Sequence, residues 1–119
     1  MVSRALTAAV RLRGEGIGLR VVNMASIEPL DTHAVLRAAR ETRGVITAEE
    51  ATVTGGLGAA VATLLVQTQP VPMRIIGVPR VFAPTGSTTF LLEHFGLTAD
   101  AIMTAARELA AGAPPGAAR

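Results

Sequence analysis

The chain is 119 residues long, so we expect one globular domain with a single hydrophobic core. It contains no cysteine, which excludes disulfides, thiolate catalysis and thiolate metal sites, and no apolar run reaches the roughly 18 residues of a membrane helix. All eleven basic residues are arginine and give a pI of 11.0, but they are scattered and not interleaved with aromatic residues, so nucleic-acid binding is not expected.

The predicted elements alternate between helices and strands. Apolar residues at helical spacing predict five helices, and short β-branched runs predict three strands. We expect the helices at residues 3–13, 31–42, 59–68, 87–95 and 98–111, and the strands at residues 19–24, 44–48 and 73–78. The expected domain covers residues 1–111, and the Gly- and Pro-rich residues 112–119 are expected to be a disordered tail.

The helix starts are marked by side chains that can cap them. Ser3, Asp31 and Thr98 are the predicted N-caps, because their side-chain oxygens can accept hydrogen bonds from the first-turn N–H groups. In the first helix, the residues predicted to face the core are Leu6, Ala9, Val10 and Leu12.

Strands that are apolar on both faces and separated by helices predict a parallel sheet with helices on both sides. The expected fold class is therefore α/β, with three layers in the order helix, mostly parallel sheet, helix. Because the chain begins with a helix and three strands make a small sheet, either a strand is missing at the N-terminus or another element fills the edge of the sheet.

The most informative stretch lies between the second predicted strand and the third predicted helix. Glu49 and Glu50 end the strand, and Gly55, Gly56 and Gly58 follow in the turn that leads to the helix. In a parallel α/β sheet this turn lies at the ligand-binding edge, and N–H groups at a helix N-terminus can bind a phosphate or carboxylate. These five residues form the candidate ligand or domain-contact edge.

The same five residues also fit purely structural roles. The glycine spacing is neither a Walker loop nor a dinucleotide fingerprint, so the glycines can serve only to let helix and strand approach closely. Adjacent strand residues point to opposite sides, so only one glutamate can face a given cleft as a general base or metal ligand. In the structural interpretation, one glutamate caps N–H groups or pairs with an arginine and the other is solvated.

The remaining polar residues match no catalytic or metal-binding pattern. His33 and His94 lack partners at metal-site spacing, and no serine lies in a G-x-S-x-G setting. No catalytic residue, cofactor-binding residue or metal ligand is therefore predicted in this chain. No signal peptide is recognisable at the N-terminus, and a cytoplasmic location is the expectation.

Several of these segments, in order and with their spacing, resemble the C-terminal domain of the transketolase family. The likeness runs from Met1 to about Leu109, and it is greatest for the small subunit of split bacterial transketolases. The matching segments are residues 21–31, 45–50, 55–58, 76–79 and 95–102, together with Phe82, Gly86, Ser87, Leu91 and Leu92.

The resemblance implies the third domain of a thiamine diphosphate enzyme that moves two-carbon ketol units between sugar phosphates. In that family the cofactor and Mg²⁺ are held by the two preceding domains, whose Gly-Asp-Gly motif and activating glutamate are not in this sequence. The implied role is non-catalytic: contacts with other transketolase domains or subunits in a homo- or hetero-oligomer such as a dimer, and an effector pocket at the glycine turn.

Two departures from the family matter. Family members open this domain with a strand ending in a glycine, just before the segment aligned with Met1 to Ser3, and here that strand is absent. If it belongs inside the sheet, two rows of main-chain groups stay unpaired unless the flanking strands close up or a partner supplies it. The family also often has an acid where Arg80 stands, which puts a role of that loop in doubt.

Three functions remain open from the sequence. The first is a non-catalytic C-terminal domain or fragment of a transketolase-like enzyme, with deoxyxylulose-phosphate synthases as related parents. The second is a freestanding regulatory module that binds an anion or small ligand at Glu49 to Gly58. The third is the docking domain of a 2-oxoacid dehydrogenase beta subunit.

Overall fold

The computed structural model describes residues 1–112, which form five helices and two strands. Apart from Gly112, the tail predicted at residues 112–119 lies outside the described residues. In chain order the elements are α1 (Val2–Arg13), α2 (Thr32–Glu41), β1 (Val45–Thr52), α3 (Leu57–Thr68), β2 (Met73–Val78), α4 (Thr88–His94) and α5 (Ala99–Ala110). None of the helices formed by these 112 residues is long and apolar enough to cross a bilayer.

The two strands are parallel neighbours. Val45 lies opposite Met73, the register continues to Ala48 opposite Ile76, and after an irregularity Thr52 lies opposite Val78. Because the strands run in the same direction, their carboxyl ends meet at one edge of the sheet. The loops that follow β1 and β2 therefore lie side by side.

Helices cover both faces of this sheet. Successive side chains of β1 point to opposite faces, so Val45 packs with one helix pair and Ile46 with the other. The α1–α5 layer has the buried core Ala8, Leu12, Ile102, Met103 and Ala106, and the α2–α3 layer has the buried core Val35, Ala39, Val61 and Leu65. The predicted three-layer α/β arrangement is confirmed.

The strand predicted at residues 19–24 is wrong. The segment is extended, but it forms no ladder within residues 1–112, and the sheet described there has only β1 and β2. Leu19 packs against the α1–α5 core and Met24 against the α2–α3 core, so the segment keeps a strand's position between the two helix layers. A strand also needs a main-chain neighbour about 4.8 Å away, and β1 offers none here because a cavity separates the two.

Helix caps agree with the sequence at α2 and α5 but not at α1. The side chain of Asp31 accepts from the N–H of Ala34, and that of Thr98 accepts from the N–H of Ala101. The predicted cap at Ser3 is wrong, because α1 begins at Val2 and Met1 is its N-cap residue. The Met1 amine is held by a glutamate of β1, which fixes the helix start earlier than the sequence suggests.

The predicted core face of α1 is also partly wrong. Ala8 and Leu12 are fully buried, whereas Leu6 is 52% exposed and Val10 is 71% exposed. The buried position is Ala8, which lies two residues from each of the predicted core residues Leu6 and Val10. Alanine lets α1 approach α5 closely, and Ala106 on α5 is itself buried. Ala8 and Leu12, four residues apart, therefore define the inner face of this helix.

Replacing Leu12 by alanine should destabilise the domain strongly. It is the largest fully buried side chain, and truncating it removes apolar contacts and leaves a cavity, at a cost of about 2 to 5 kcal/mol of unfolding free energy. The matched control on the same helix is Val10→Ala, which should change stability by no more than about 0.5 kcal/mol. Urea unfolding followed by circular dichroism measures both, and equal losses would contradict this assignment of the core face.

Candidate functional site

The candidate edge begins inside β1 rather than after it. The sequence predicts a strand that ends at residue 48 and a helix that starts at residue 59, but β1 continues to Thr52 and α3 starts at Leu57. The N–H of Val53 still donates to the carbonyl of Val78, 3.0 Å away, so pairing with β2 carries the strand through the glutamates. The connecting turn is therefore short, residues 53–56.

Glu49 caps the first turn of α3 from the neighbouring strand. Its Oε2 accepts a hydrogen bond from the N–H of Leu57 and its Oε1 accepts one from the N–H of Gly58, each at 2.8 Å. The residue is only 8% exposed. A carboxylate at this position satisfies two N–H groups that lack helical partners and interacts favourably with the positive end of the helix dipole.

The glycines of the turn make this contact sterically possible. Gly55 has φ +78°, a left-handed conformation that glycine adopts without strain. A Cβ on Gly56 would collide with the carboxylate of Glu49 and lie 2.9 Å from the carbonyl oxygen of Thr52. One on Gly58 would lie 2.5 Å from the Ile75 side chain and 3.0 Å from Oγ1 of Thr47, so the last glycine lets α3 sit directly on both strands.

Thr47 is not among the site residues that the sequence predicts. Its Oγ1 is buried without a hydrogen-bond partner among residues 1–112, beneath the start of α3. The signal that could have found it is the period of the strand, because Thr47 lies two residues before Glu49 and therefore shares its face.

Glu50 points to the opposite face and forms an ion pair. Its Oε1 accepts from the Met1 amine at 2.8 Å and from Nη1 of Arg4 at 3.3 Å. The hydrogen bond from the amine, together with the charges of the amine and Arg4, lowers the pKa of Glu50. The structure therefore brings Glu49, Gly56 and Gly58 together and separates Glu50 from them.

The two histidines are also apart from this edge. His94 stacks on Phe90 at 5.5 Å between ring centroids and meets Phe95 edge-on at 4.8 Å, and His33 is exposed on α2. Within residues 1–112, no three His, Cys, Asp or Glu side chains are grouped so that they could hold a metal ion.

A second exposed region follows β2 at the same sheet edge. The loop from residue 79 to 87 leads into α4, in which no residue is buried. Phe82 is as exposed as a free side chain, at 106%, and Val81 and Phe90 are exposed as well. We call Val81, Phe82 and Phe90 the exposed apolar residues of the β2–α4 region.

Replacing Glu49 by glutamine should destabilise the domain more than the same change at Glu50. Glutamine keeps one acceptor oxygen but turns an NH₂ group toward a helical N–H, so one buried hydrogen bond is lost, at a cost of about 1 to 3 kcal/mol. Glu50→Gln is the matched control, because its half-exposed ion pair is worth less than about 1 kcal/mol. Urea unfolding at pH 7 measures both, and a larger loss for Glu50→Gln would refute the capping role.

The contribution of Glu50 should depend on pH. Its pKa is lower in the folded chain than in the unfolded chain, so its contribution is fully present above the unfolded pKa and is lost as pH falls through the folded pKa. The unmodified chain should exceed Glu50→Gln in stability at pH 7, and the difference should vanish at acid pH. Thermal unfolding of both proteins across this pH range is the measurement, and a gap that persists in acid would contradict the assignment.

Comparison with known proteins relates this geometry to a family. The family model described as "Transketolase, C-terminal domain" matches residues 1–102. Among solved structures, a split-gene transketolase described as an inactive beta4 tetramer superimposes with a TM-score of 0.85 at 44% sequence identity, and the match covers 91% of this chain and 35% of that one.

Curated relatives point to the same family. The 6-deoxy-6-sulfo-D-fructose transketolase subunit SqwH of Clostridium sp. is 50% identical over 109 residues, which cover 92% of this chain and 34% of the relative. The 1-deoxy-D-xylulose-5-phosphate synthase of Heliobacterium modesticaldum is 40% identical over 111 residues, 92% of this chain and 17% of that protein. The transketolase of Rattus norvegicus is 38% identical over 106 residues, which cover 88% of this chain and 17% of that protein. The chain spans about a third or less of each of these relatives, and it belongs to the transketolase C-terminal domain family.

Proposed function

We propose that this chain is the C-terminal portion of a thiamine diphosphate-dependent transketolase-like enzyme that moves ketol units between sugar phosphates. Its role is packing and contact with other domains or subunits, not chemistry. The parent enzyme acts in carbohydrate metabolism in the cytoplasm, and the other portions of the assembly hold thiamine diphosphate and Mg²⁺.

The observation that carries this proposal is the use of both glutamates in structural contacts. The carboxylate of Glu49 is buried and accepts two main-chain N–H groups, while Glu50 pairs with the Met1 amine and Arg4. A general base needs an accessible carboxylate whose pKa lies near the working pH. Glu49 is buried with both oxygens accepting main-chain N–H groups, and the cationic partners of Glu50 lower its pKa and make it a weaker base, which supports a non-catalytic corner.

The same contacts weigh against an anion-binding regulatory module. An anion at the start of α3 would bind the N–H groups of the first turn, and two of these already donate to Glu49. A phosphate would have to displace a carboxylate that is tethered to the neighbouring strand. The edge formed by Glu49, Glu50, Gly55, Gly56 and Gly58 is therefore better suited to a domain contact than to an effector.

The exposed apolar residues of the β2–α4 region support a contact surface at this edge. Val81 and Phe82 lie three and four residues after the end of β2, at the sheet edge where the glycine turn also lies. A phenylalanine ring held wholly in water loses the free energy that burial against a partner would supply. The names of the relatives, a transketolase subunit and a tetramer of a split-gene transketolase, support partners of this kind, in a homo- or hetero-oligomer.

Replacing Phe82 by serine should weaken assembly without unfolding the chain. The test mixes this chain with a form of the Clostridium SqwH subunit that lacks the third matched here, and sedimentation velocity measures association. Phe82→Ser should reduce affinity by about tenfold or more, as expected when an aromatic residue at the centre of an interface is removed. Val66→Ser is the control, because Val66 is 70% exposed on α3.

Two outcomes would contradict the proposal. Equal weakening by both variants would show that Phe82 is not part of a specific contact. Ketol transfer from xylulose 5-phosphate to ribose 5-phosphate by the purified chain alone, supplied with thiamine diphosphate and Mg²⁺, would overturn the non-catalytic role.

A further inference from the structure

The outer face of α2 carries a row of side chains that can donate hydrogen bonds. His33, Arg37 and Arg40 occupy positions i, i+4 and i+7 of the helix, so they lie on one side of it. All three are exposed. At about 100° of rotation per residue, this side faces away from Val35 and Ala39, which are buried in the α2–α3 core. We call His33, Arg37 and Arg40 the basic row of α2.

The arginines of the basic row have no carboxylate partner in the described part of the chain. Five other arginines do form ion pairs with carboxylates there, namely Arg4, Arg11, Arg20, Arg74 and Arg107. Arg37 and Arg40 form none within residues 1–112, although both lie on a well-formed helix. Their positive charges are therefore available to a partner.

The acidic residues at the two ends of α2 are already engaged. At the start, the carboxylate of Asp31 accepts a hydrogen bond from the N–H of Ala34 at 2.9 Å. At the end, Glu41 pairs with Arg20. Since each of these carboxylates has a partner of its own, the face between them is net positive.

A shallow depression of about 190 Å³ follows the basic row. It is lined by the three residues of the row together with Leu36 and Glu41. Leu36 is half-buried, so it offers an apolar contact next to the two guanidinium groups. The surface thus combines a line of charge with one apolar position beside it.

The spacing of the row favours a helical partner. The three side chains are spread over about 10 Å along the axis, at a rise of about 1.5 Å per residue. Carboxylates at the same intervals on a second helix match all three. Same-side residues of a strand are about 6.6 Å apart, so a strand falls out of step with the row.

Two other kinds of anion fit the row less well. A single phosphate reaches only part of a row of this length, and the N–H of Ala34, which could assist it at the start of the helix, already donates to Asp31. A nucleic acid binds through many phosphate contacts, and a row with two arginines supplies few. Charge and spacing together therefore select an acidic helix.

We propose that the basic row of α2 docks an acidic helix of a partner polypeptide. The contacting face of that helix carries Asp or Glu at i, i+4 and i+7 and an apolar residue beside Leu36. Arginine and carboxylate can pair through two parallel hydrogen bonds, which fixes their geometry, and complementary charge sets orientation and association rate more than affinity. The row shares no residue with the contact surface at Phe82, so this inference stands apart from the proposed function.

A stapled helical peptide tests the proposal on the full 119-residue chain. The peptide is Ala-Ala-Glu-Ala-Ala-Leu-Glu-Ala-Ala-Glu-Ala-Ala-Leu-Glu-Ala-Ala, acetylated and amidated, with the staple on the face opposite its glutamates. Titration into isotope-labelled protein, followed by NMR, should show saturable shifts centred on residues 33–40. Raising the ionic strength from about 0.02 M to about 0.2 M should weaken binding by about fivefold or more.

Two matched comparisons separate the basic row from charge in general. Arg37→Gln combined with Arg40→Gln should weaken binding by about tenfold or more. Arg13→Gln combined with Arg80→Gln removes the same charge from exposed arginines outside α2, and should weaken binding by less than about twofold. A stapled isomer of the peptide, with its glutamates distributed around the helix, should bind at least about tenfold more weakly than the original. If a variant fails to fold, this isomer still decides the question on the unmodified chain.

Several results would overturn the inference. These are an absence of saturable binding, equal binding of the two peptides, or equal weakening by the two double variants. Displacement of the peptide by inorganic phosphate at fixed ionic strength would assign the row to small anions, and displacement by a short DNA duplex would assign it to nucleic acid. Shifts of the same amides with protein concentration, in the absence of peptide, would assign it to a second copy of the chain.

Discussion

The contact of Glu49 with the start of α3 is the interaction on which the rest of the structure depends. One carboxylate accepts from both Leu57 and Gly58, so it joins β1 to its crossover helix α3 at a fixed distance. A buried charge without such partners is expensive, and here it gains two hydrogen bonds and the helix dipole. The glycine at position 56 follows from this contact, because a Cβ there would occupy the space of the carboxylate, whereas one at position 58 would collide with Ile75 of β2.

The two-stranded sheet lies between two helix layers, one packed on each of its faces. Such a small sheet buries little by itself, so much of the core lies between helices, with Leu12 and Ala8 of α1 against α5. Arg74 of β2 pairs with Glu108 of α5 at 3.0 Å and is largely buried, which ties the last helix to the sheet. Val81 and Phe82, beyond the carboxyl end of β2, remain exposed.

Much of this fold follows from the sequence, since the apolar period locates each described helix and both ladder strands, and capping residues mark the starts of α2 and α5. The segment 19–24 shows the limit: its β-branched composition is correct for a strand, but pairing depends on a neighbour that no local pattern reveals. The opposite directions of Glu49 and Glu50 follow from strand period alone. Their partners do not, because Leu57 and Met1 approach them only through tertiary packing.

The ion pair of the Met1 amine with Glu50 has a consequence for labelling chemistry. The 119 residues contain eleven arginines and no lysine, so this amine is the single aliphatic amine of the chain. The Met1 side chain is only 6% exposed, and the protonated amine, which donates a hydrogen bond to a carboxylate, has no lone pair to offer an electrophile. Acylating reagents thus modify one atom, at a rate set by how often the start of α1 separates from β1.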